Sequence, residues 1–161
     1  MIALVIVAFC VVVHVGGIVA LAHSLLARVS RVDALTNTTL QAVVLIFVFG
    51  VVLALHAFEI GVWATFFYWC GLFGDLETAT YFSLGTYVTI GYGDVVLPQH
   101  WRVLGAIEGL AGVLLSGLSA AFIFAVVNAL FQMRISQRNL PAPEDGKGLS
   151  KVTVSPVRPL Q

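Results

Sequence analysis

Thr89-Ile90-Gly91-Tyr92-Gly93-Asp94 is the stretch on which the reading of this chain turns. Glycine at every second position lets the backbone alternate between right- and left-handed conformations at little steric cost. A strand alternating in this way turns consecutive carbonyl oxygens to one side, where a stack of them can replace the water around a dehydrated cation. Thr89 can add its hydroxyl at the inner end of the stack. Ile90 and Tyr92 then point away from it and wedge the strand against whatever lies behind.

Working outward, Thr78 to Val88 is moderately apolar and about eleven residues long, too short to cross a bilayer. It reads as a re-entrant helix buried in protein, where irregular backbone at membrane depth is tolerated. Its negative dipole end would aim at a cation below the strand. Asp75, Glu77 and Asp94 would form an acidic outer mouth that raises the local cation concentration.

Three longer apolar stretches surround this loop. Ile2 to Ala27 carries no charge and exceeds the roughly 20 residues needed to span hydrocarbon. A second span runs over 40–70; it closes in Trp63, Phe66, Phe67, Tyr68 and Trp69, the aromatic crowding of a membrane interface, and ends at Gly71 and Gly74. Leu97-Pro98-Gln99-His100 breaks the chain before a third span, 101–132, whose Gly, Ala and Ser permit close helix contact. The expected organisation is an extra N-terminal transmembrane helix (1–27), a connector (28–39) whose Thr36-Asn37-Thr38-Thr39 suits a helix N-cap, a pore unit (40–132) and a disordered polar tail (133–161). The fold class is an all-α membrane protein with three transmembrane helices and a re-entrant helix.

Composition agrees: 60% of the 161 residues are hydrophobic and 10% charged, far from a soluble domain. Eight basic and eight acidic residues give no net charge and no basic stripe, so no nucleic-acid partner is expected. Cys10 and Cys70 fit small buried hydrophobes better than a disulfide or metal site. The N-terminus lacks the positive region and short apolar core of a signal peptide. Arg28 and Arg31 in the connector and Arg134 and Arg138 after the third span share a side. The positive-inside rule makes that side cytoplasmic, with the N-terminus outside and the C-terminus inside.

Tyr81-Phe82-Ser83-Leu84-Gly85-Thr86-Tyr87-Val88-Thr89-Ile90-Gly91-Tyr92-Gly93-Asp94 resembles the pore loop of the potassium-channel superfamily. The likeness covers roughly Leu40 to Gln132, an outer helix, a pore loop and an inner helix in order. It implies that Thr89, Ile90, Gly91, Tyr92 and Gly93 form the K+ selectivity filter, and that Gly112 matches the hinge glycine of the inner helix. It also implies a bacterial inner-membrane channel with K+ as the permeant ion and no other metal or cofactor. Val88 departs from the hydroxyl residue common before the filter threonine. Gly85 stands where some members carry a glutamate behind the filter, and Phe82 where a tryptophan holds the filter tyrosine. The first span lies outside the minimal two-span plan. One filter strand supplies a quarter of a carbonyl ring, so a homotetramer in the lipid bilayer is the economical assembly.

Ionisable groups inside the spans are costly in lipid and should face protein or water. His56 and Glu59 share a helical face, and Glu108 lies at similar depth on the third span. These three are expected to meet behind the filter, sharing protons and bracing the re-entrant helix through Thr86 or Tyr81. The plainer reading is helix-to-helix bonding with no gating role. His14 and His23 read as internal hydrogen-bonding or interfacial residues. Gly112, Ser116, Ala120 and Phe124 recur at helical spacing as a pore-lining face or a packing stripe, with Phe124 a candidate dewetting gate.

Other function classes fit less well. A potassium-transporter subunit would carry four degenerate loops in one chain, a nonselective cation channel would replace Tyr92, and a membrane scaffold would pass no ions. No enzyme is expected: Gly117-Leu118-Ser119-Ala120-Ala121 lacks the second glycine of a nucleophile elbow and sits mid-span. The histidines have no metal-ligand spacing along the chain. The spans carry no arginine ladder for a voltage sensor.

Overall fold

The computed structural model describes residues 1–29 and 38–138. In chain order, α1 is Ile2–Val29, α2 is Thr38–Trp69, α3 is Leu76–Tyr87, and a 3-10 turn at Gln99–Trp101 leads into α4, Arg102–Arg138. No strand occurs among the described residues. Three segments, Ile2–Ala27, Thr38–Trp69 and Gln99–Ile135, are long and apolar enough to cross a membrane. The 12 residues of α3 reach only about 18 Å at 1.5 Å per residue. The chain is an all-helical membrane protein.

The ends of these helices follow from local chemistry. Trp69 is the last residue of α2 because Gly71 takes a left-handed φ of 68°. The amide of Leu72 then reaches back to the carbonyl of Phe67 at 3.1 Å, and that of Gly71 to Tyr68 at 2.9 Å, which satisfies two carbonyls the helix leaves open. Asp75 starts α3: its carboxylate accepts the amide of Thr78 at 2.7 Å and the Thr78 hydroxyl at 3.0 Å. Pro98 precedes the turn that opens α4, as expected for a residue unable to donate a helical bond.

Several boundaries differ from the sequence expectation, two of them for a clear local reason. α4 runs six residues beyond Gln132, to Arg138, because Met, Arg and Gln hold helix well even though they are polar or outside the apolar run. The re-entrant helix begins two residues before Thr78, at Leu76, where Asp75 caps it. The capping expectation at Thr36 and Asn37, and the tail over 139–161, lie outside the described residues.

α1 and α4 both pack on α2, and α3 sits in the angle between α2 and α4. The aromatic crowd of α2 divides. Trp63 and Phe67 are wholly buried, whereas Trp69 is 82% exposed, so only the last turn behaves as an interfacial belt. Phe67 meets Phe82 of α3 edge-on at 5.4 Å, and Phe82 meets Phe73 at 5.1 Å. The two cysteines divide as well: Cys10 is buried and Cys70, in the turn that closes α2, is exposed. The side-chain hydroxyl of Thr38 accepts from Arg134 at 2.8 Å, tying the start of α2 to the far end of α4.

Candidate functional site

Thr89, Gly91 and Gly93 all take positive φ, at 61°, 55° and 80°. Left-handed residues thus recur at every second position, the condition for successive carbonyls to share a side. Thr89 joins the two glycines although its Cβ makes that conformation unfavourable, a strain the surrounding bonds must hold. They are made by the end of α3. The amide of Val88 bonds to the carbonyl of Leu84 at 3.2 Å, that of Thr89 to Thr86 at 3.0 Å, and that of Gly91 to Gly85 at 3.0 Å. The last carbonyls of the re-entrant helix, which have no helical partner, hold the strand directly.

The end of the strand at Asp94 is held by side chains. Tyr81 donates its hydroxyl to Asp94 Oδ2 at 2.8 Å, and its ring stacks on Tyr92 with centroids 6.2 Å apart and planes 10° from parallel. Asp94 Oδ1 also accepts the amide of Val95 at 3.0 Å. The Tyr81 bond holds the Asp94 carboxyl below the usual aspartate range and pushes the Tyr81 hydroxyl up. The Thr78 amide does the same to Asp75, lowering it. Asp75 is therefore a helix cap as well as an acidic group at this end, and Glu77 is an exposed member of the first turn of α3. Phe82, which occupies the place expected of a filter-holding aromatic, turns instead toward Phe67 and Gly105. Tyr81 takes that task one residue earlier.

Behind the strand, α4 comes very close to α3. A Cβ built on Gly112 would lie 2.2 Å from the carbonyl oxygen of Tyr87, and one on Gly109 would lie 3.2 Å from that of Thr86. Gly112 is thus a contact glycine at the base of the strand. Gly105, Glu108, Ala111, Gly112, Leu115 and Ser119 form the buried face of α4, with the three- and four-residue spacing of a helix packed on one side. Ser116, Ala120 and Phe124 do not share that face: all three are exposed. Steps of four residues advance about 40° beyond a full turn, so the expected stripe has rotated by about 120° at Phe124.

The membrane-embedded ionisable groups fall into two neighbouring clusters. In one, the hydroxyl oxygen of Ser83 lies 3.1 Å from the carbonyl of Ile60 and bonds Glu108 Oε1. Ser83 and Glu108 are both fully buried. In the other, five contacts close a ring through all four helices. His14 Nδ1 lies 2.8 Å from Glu59 Oε1 and His14 Nε2 2.9 Å from the Ser119 hydroxyl. The same hydroxyl lies 3.1 Å from His56 Nε2, and His56 Nδ1 lies 2.9 Å from the Tyr87 hydroxyl. Tyr87 donates to Glu59 Oε2.

The brace on the re-entrant helix accordingly runs through Ser83 and Tyr87, in place of Thr86 or Tyr81. Ser83 and Tyr87 are four apart and share a helical face; Tyr81 and Thr86 lie off it. His56 and Glu59 meet in the ring, and Glu108 bonds separately through Ser83. Two members go beyond the sequence expectation: His14 reads there only as an internal hydrogen-bonding or interfacial residue, and Ser119 as helix packing. The signal for His14 was its depth, about 18 Å from Ile2 at helical rise, against about 15 Å from Trp69 back to Glu59. His23 takes no part and is exposed.

A protein-family model described as "Ion channel" matches residues 2–129, taking in α1 as well as the helices around the loop. No curated protein and no solved structure matches the chain.

Proposed function

This chain belongs to the ion-channel family, and from that premise we propose that four copies surround one pore that conducts K+ passively through Thr89, Ile90, Gly91, Tyr92 and Gly93. The observation that carries the reading is the positive φ at residues 89, 91 and 93 on a segment tied to the end of α3 by the amides of Thr89 and Gly91. Such a strand cannot lie bare in hydrocarbon, where every backbone group needs a partner. Yet Ile90 and Tyr92 are 55% and 69% exposed on the single chain. An open hollow of about 510 Å³ lined by Thr86, Thr89, Gly91, Leu97 and Gly105 adjoins the strand. Neighbouring copies around a fourfold axis would cover both, and each would contribute its own strand to the carbonyl rings.

Cytoplasmic ends at Arg28 and Arg134, with Asp75, Glu77 and Asp94 facing outward, complete the proposal as a multi-pass protein of a bacterial inner membrane. Proton-linked gating rests on Glu108. The Ser83 hydroxyl has one hydrogen and two acceptors, the Ile60 carbonyl and Glu108 Oε1; both bonds are made only when Glu108 carries a proton.

Reconstitution of purified protein in liposomes tests the reading. K+ flux well above Na+ flux, a reversal potential near the K+ limit under bi-ionic conditions and a tetrameric mass are expected. Equal passage of the two cations, or a monomer that conducts, refutes it. Glu108→Gln fixes the protonated hydrogen-bond pattern, so its currents should lose the pH response of the wild type; an unchanged response removes Glu108 from gating.

A further inference from the structure

The ring of Glu59, His14, Ser119, His56 and Tyr87 places two imidazoles around one buried carboxylate, an arrangement that the channel reading does not use. Both imidazole Nε2 atoms are aimed at one hydroxyl, at 2.9 Å and 3.1 Å. If both histidines are neutral with hydrogen on Nδ1, facing Glu59 and Tyr87, their Nε2 atoms are both acceptors. Ser119 then serves one of them with its hydrogen, whereas with hydrogen on Nε2 of only one histidine the hydroxyl accepts from that ring and donates to the other. If both carry hydrogen on Nε2, the Ser119 oxygen can accept both. The two Nδ1 atoms are then bare lone pairs, and they converge on the Glu59 carboxylate at 2.8 Å and 3.5 Å. Two imidazole lone pairs and a carboxylate around one point are a donor set for a divalent cation.

We propose that His14 Nδ1, His56 Nδ1 and the Glu59 carboxylate bind one divalent transition-metal ion of the Zn2+ class per chain. Three things support it. One ligand atom from each residue lies within 4.8 Å of the other two. The two Nδ1 atoms lie 2.8 Å from Glu59 Oε1 and 3.5 Å from Glu59 Oε2, close to the separation of about 3.3 Å that ligands at Zn–N and Zn–O lengths adopt in a tetrahedron. The outer partners are those a metal-bound histidine requires: each Nε2 has the Ser119 oxygen to donate to, and the second carboxylate oxygen is held by the Tyr87 hydroxyl. Cys10, though buried nearby, is outside the set.

The three ligands come from α1 and α2, and their outer partners from α3 and α4, so a bound ion fastens all four helices two residues below Thr89. Glu59 and His14 are fully buried, and His56 keeps a 16% exposed edge from which an ion can enter. The competing account of the same geometry is a metal-free ring in which the two histidines take opposite tautomers, so that Ser119 accepts from one Nε2 and donates to the other.

The test uses the purified full chain in detergent, stripped with chelator and titrated with Co2+. Binding should give the intense visible absorption of four-coordinate cobalt at one equivalent per chain, displaced by Zn2+, with no sulfur-to-cobalt charge transfer. His14→Ala and Glu59→Gln should abolish it, and Cys10→Ser should leave it intact. Ser119→Ala keeps all three ligands and should weaken the site by about 10- to 100-fold, the usual effect of an outer partner. Gel filtration shows which variants keep the assembly of the wild type. Cobalt that stays in its pale aqueous form with intact wild-type protein overturns the proposal in favour of the metal-free ring. A spectrum that survives in Glu59→Gln overturns this ligand set. Neither result depends on ion flux, so failure here is separate from failure of the channel reading.

Discussion

Gly112→Ala puts a methyl group where α4 passes the base of the 89–93 segment. Its Cβ would lie 2.2 Å from the Tyr87 carbonyl oxygen, 3.0 Å from the carbonyl carbon and 3.1 Å from Cδ1 of the ring. Ordinary contact begins at 3.4 Å, so 3.4 − 2.2 gives 1.2 Å of separation that α4 and α3 must find. The obstructing atom is backbone, on the residue two before Thr89, and cannot rotate away. Overpacking of this kind costs about 1–3 kcal/mol, and the upper part of that range is expected here. Gly109→Ala meets the Thr86 carbonyl at 3.2 Å and needs only a few tenths of an ångström; Gly117→Ala meets nothing within 4 Å and should be neutral or slightly stabilising, since alanine is the better helix former by roughly 0.5–1 kcal/mol. The thermal midpoint of the purified assembly should therefore fall in the order 112, 109, 117, with K+ over Na+ flux impaired at 112 first. A glycine that serves only as a hinge makes a different forecast: Gly112→Ala would keep its stability and lose open probability alone. Wild-type melting in Gly112→Ala refutes the close-contact argument.

Three further outcomes follow from the same geometry. Tyr81→Phe removes the bond to Asp94 and keeps the stack on Tyr92, so the filter should stop conducting sooner in sustained recordings; equal decay in the two proteins would show that the bond braces nothing. Because the Asp94 carboxyl is lowered by that bond, its contribution is present above the ordinary aspartate range and lost as external pH falls through the depressed value, where wild type should come to resemble Tyr81→Phe. Glu108→Ala leaves Ser83 bonded to the Ile60 carbonyl alone and opens a void, at a cost of about 2–4 kcal/mol, whereas Glu108→Gln should stay within about 1 kcal/mol of wild type; equal melting temperatures for the two variants would sink the buried-acid reading. Gly71→Ala adds a Cβ that touches nothing, at φ 68°, so any loss is conformational, about 1–2 kcal/mol, and an unchanged midpoint would mean the turn is not left-handed.

The architecture was legible because it depends on quantities that one chain carries alone. Hydropathy and length mark Ile2–Ala27 and the later spans, and the alternating glycines of 91 and 93 mark a strand with unusual backbone. The site was legible only where its partners are close in sequence. Tyr81 and Asp94 are thirteen apart across one turn of chain, yet the choice between Tyr81 and Phe82 depends on how α3 is rotated against α2, which no local pattern sets. Ser119 offered still less: a serine among glycine and alanine in a helix reads as packing, and its two histidine partners lie 63 and 105 residues away. Gly112 was legible as a residue type that matters, but not why, since the Tyr87 carbonyl that excludes any side chain there belongs to another helix.

The standing of α1 follows from what can hold one helix to another in lipid. Apolar surface contributes little, because lipid tails are as apolar as the residues they replace; close approach and interhelical hydrogen bonds remain. α1 has both. Gly17 admits Leu55 so closely that a Cβ would meet its methyl carbons at 2.7 Å and 2.9 Å, and His14 bonds Glu59 on α2 and Ser119 on α4. Without α1, Glu59 Oε1 loses the partner that His14 supplies, on a carboxylate that is fully buried, and Ser119 loses one of its two imidazoles. A charged group in that condition costs more than the helix contact was worth. The family match that begins at residue 2 agrees with this accounting: α1 is not an anchor appended to the helices around the loop, because the polar centre beneath the 89–93 segment is incomplete until α1 supplies its histidine.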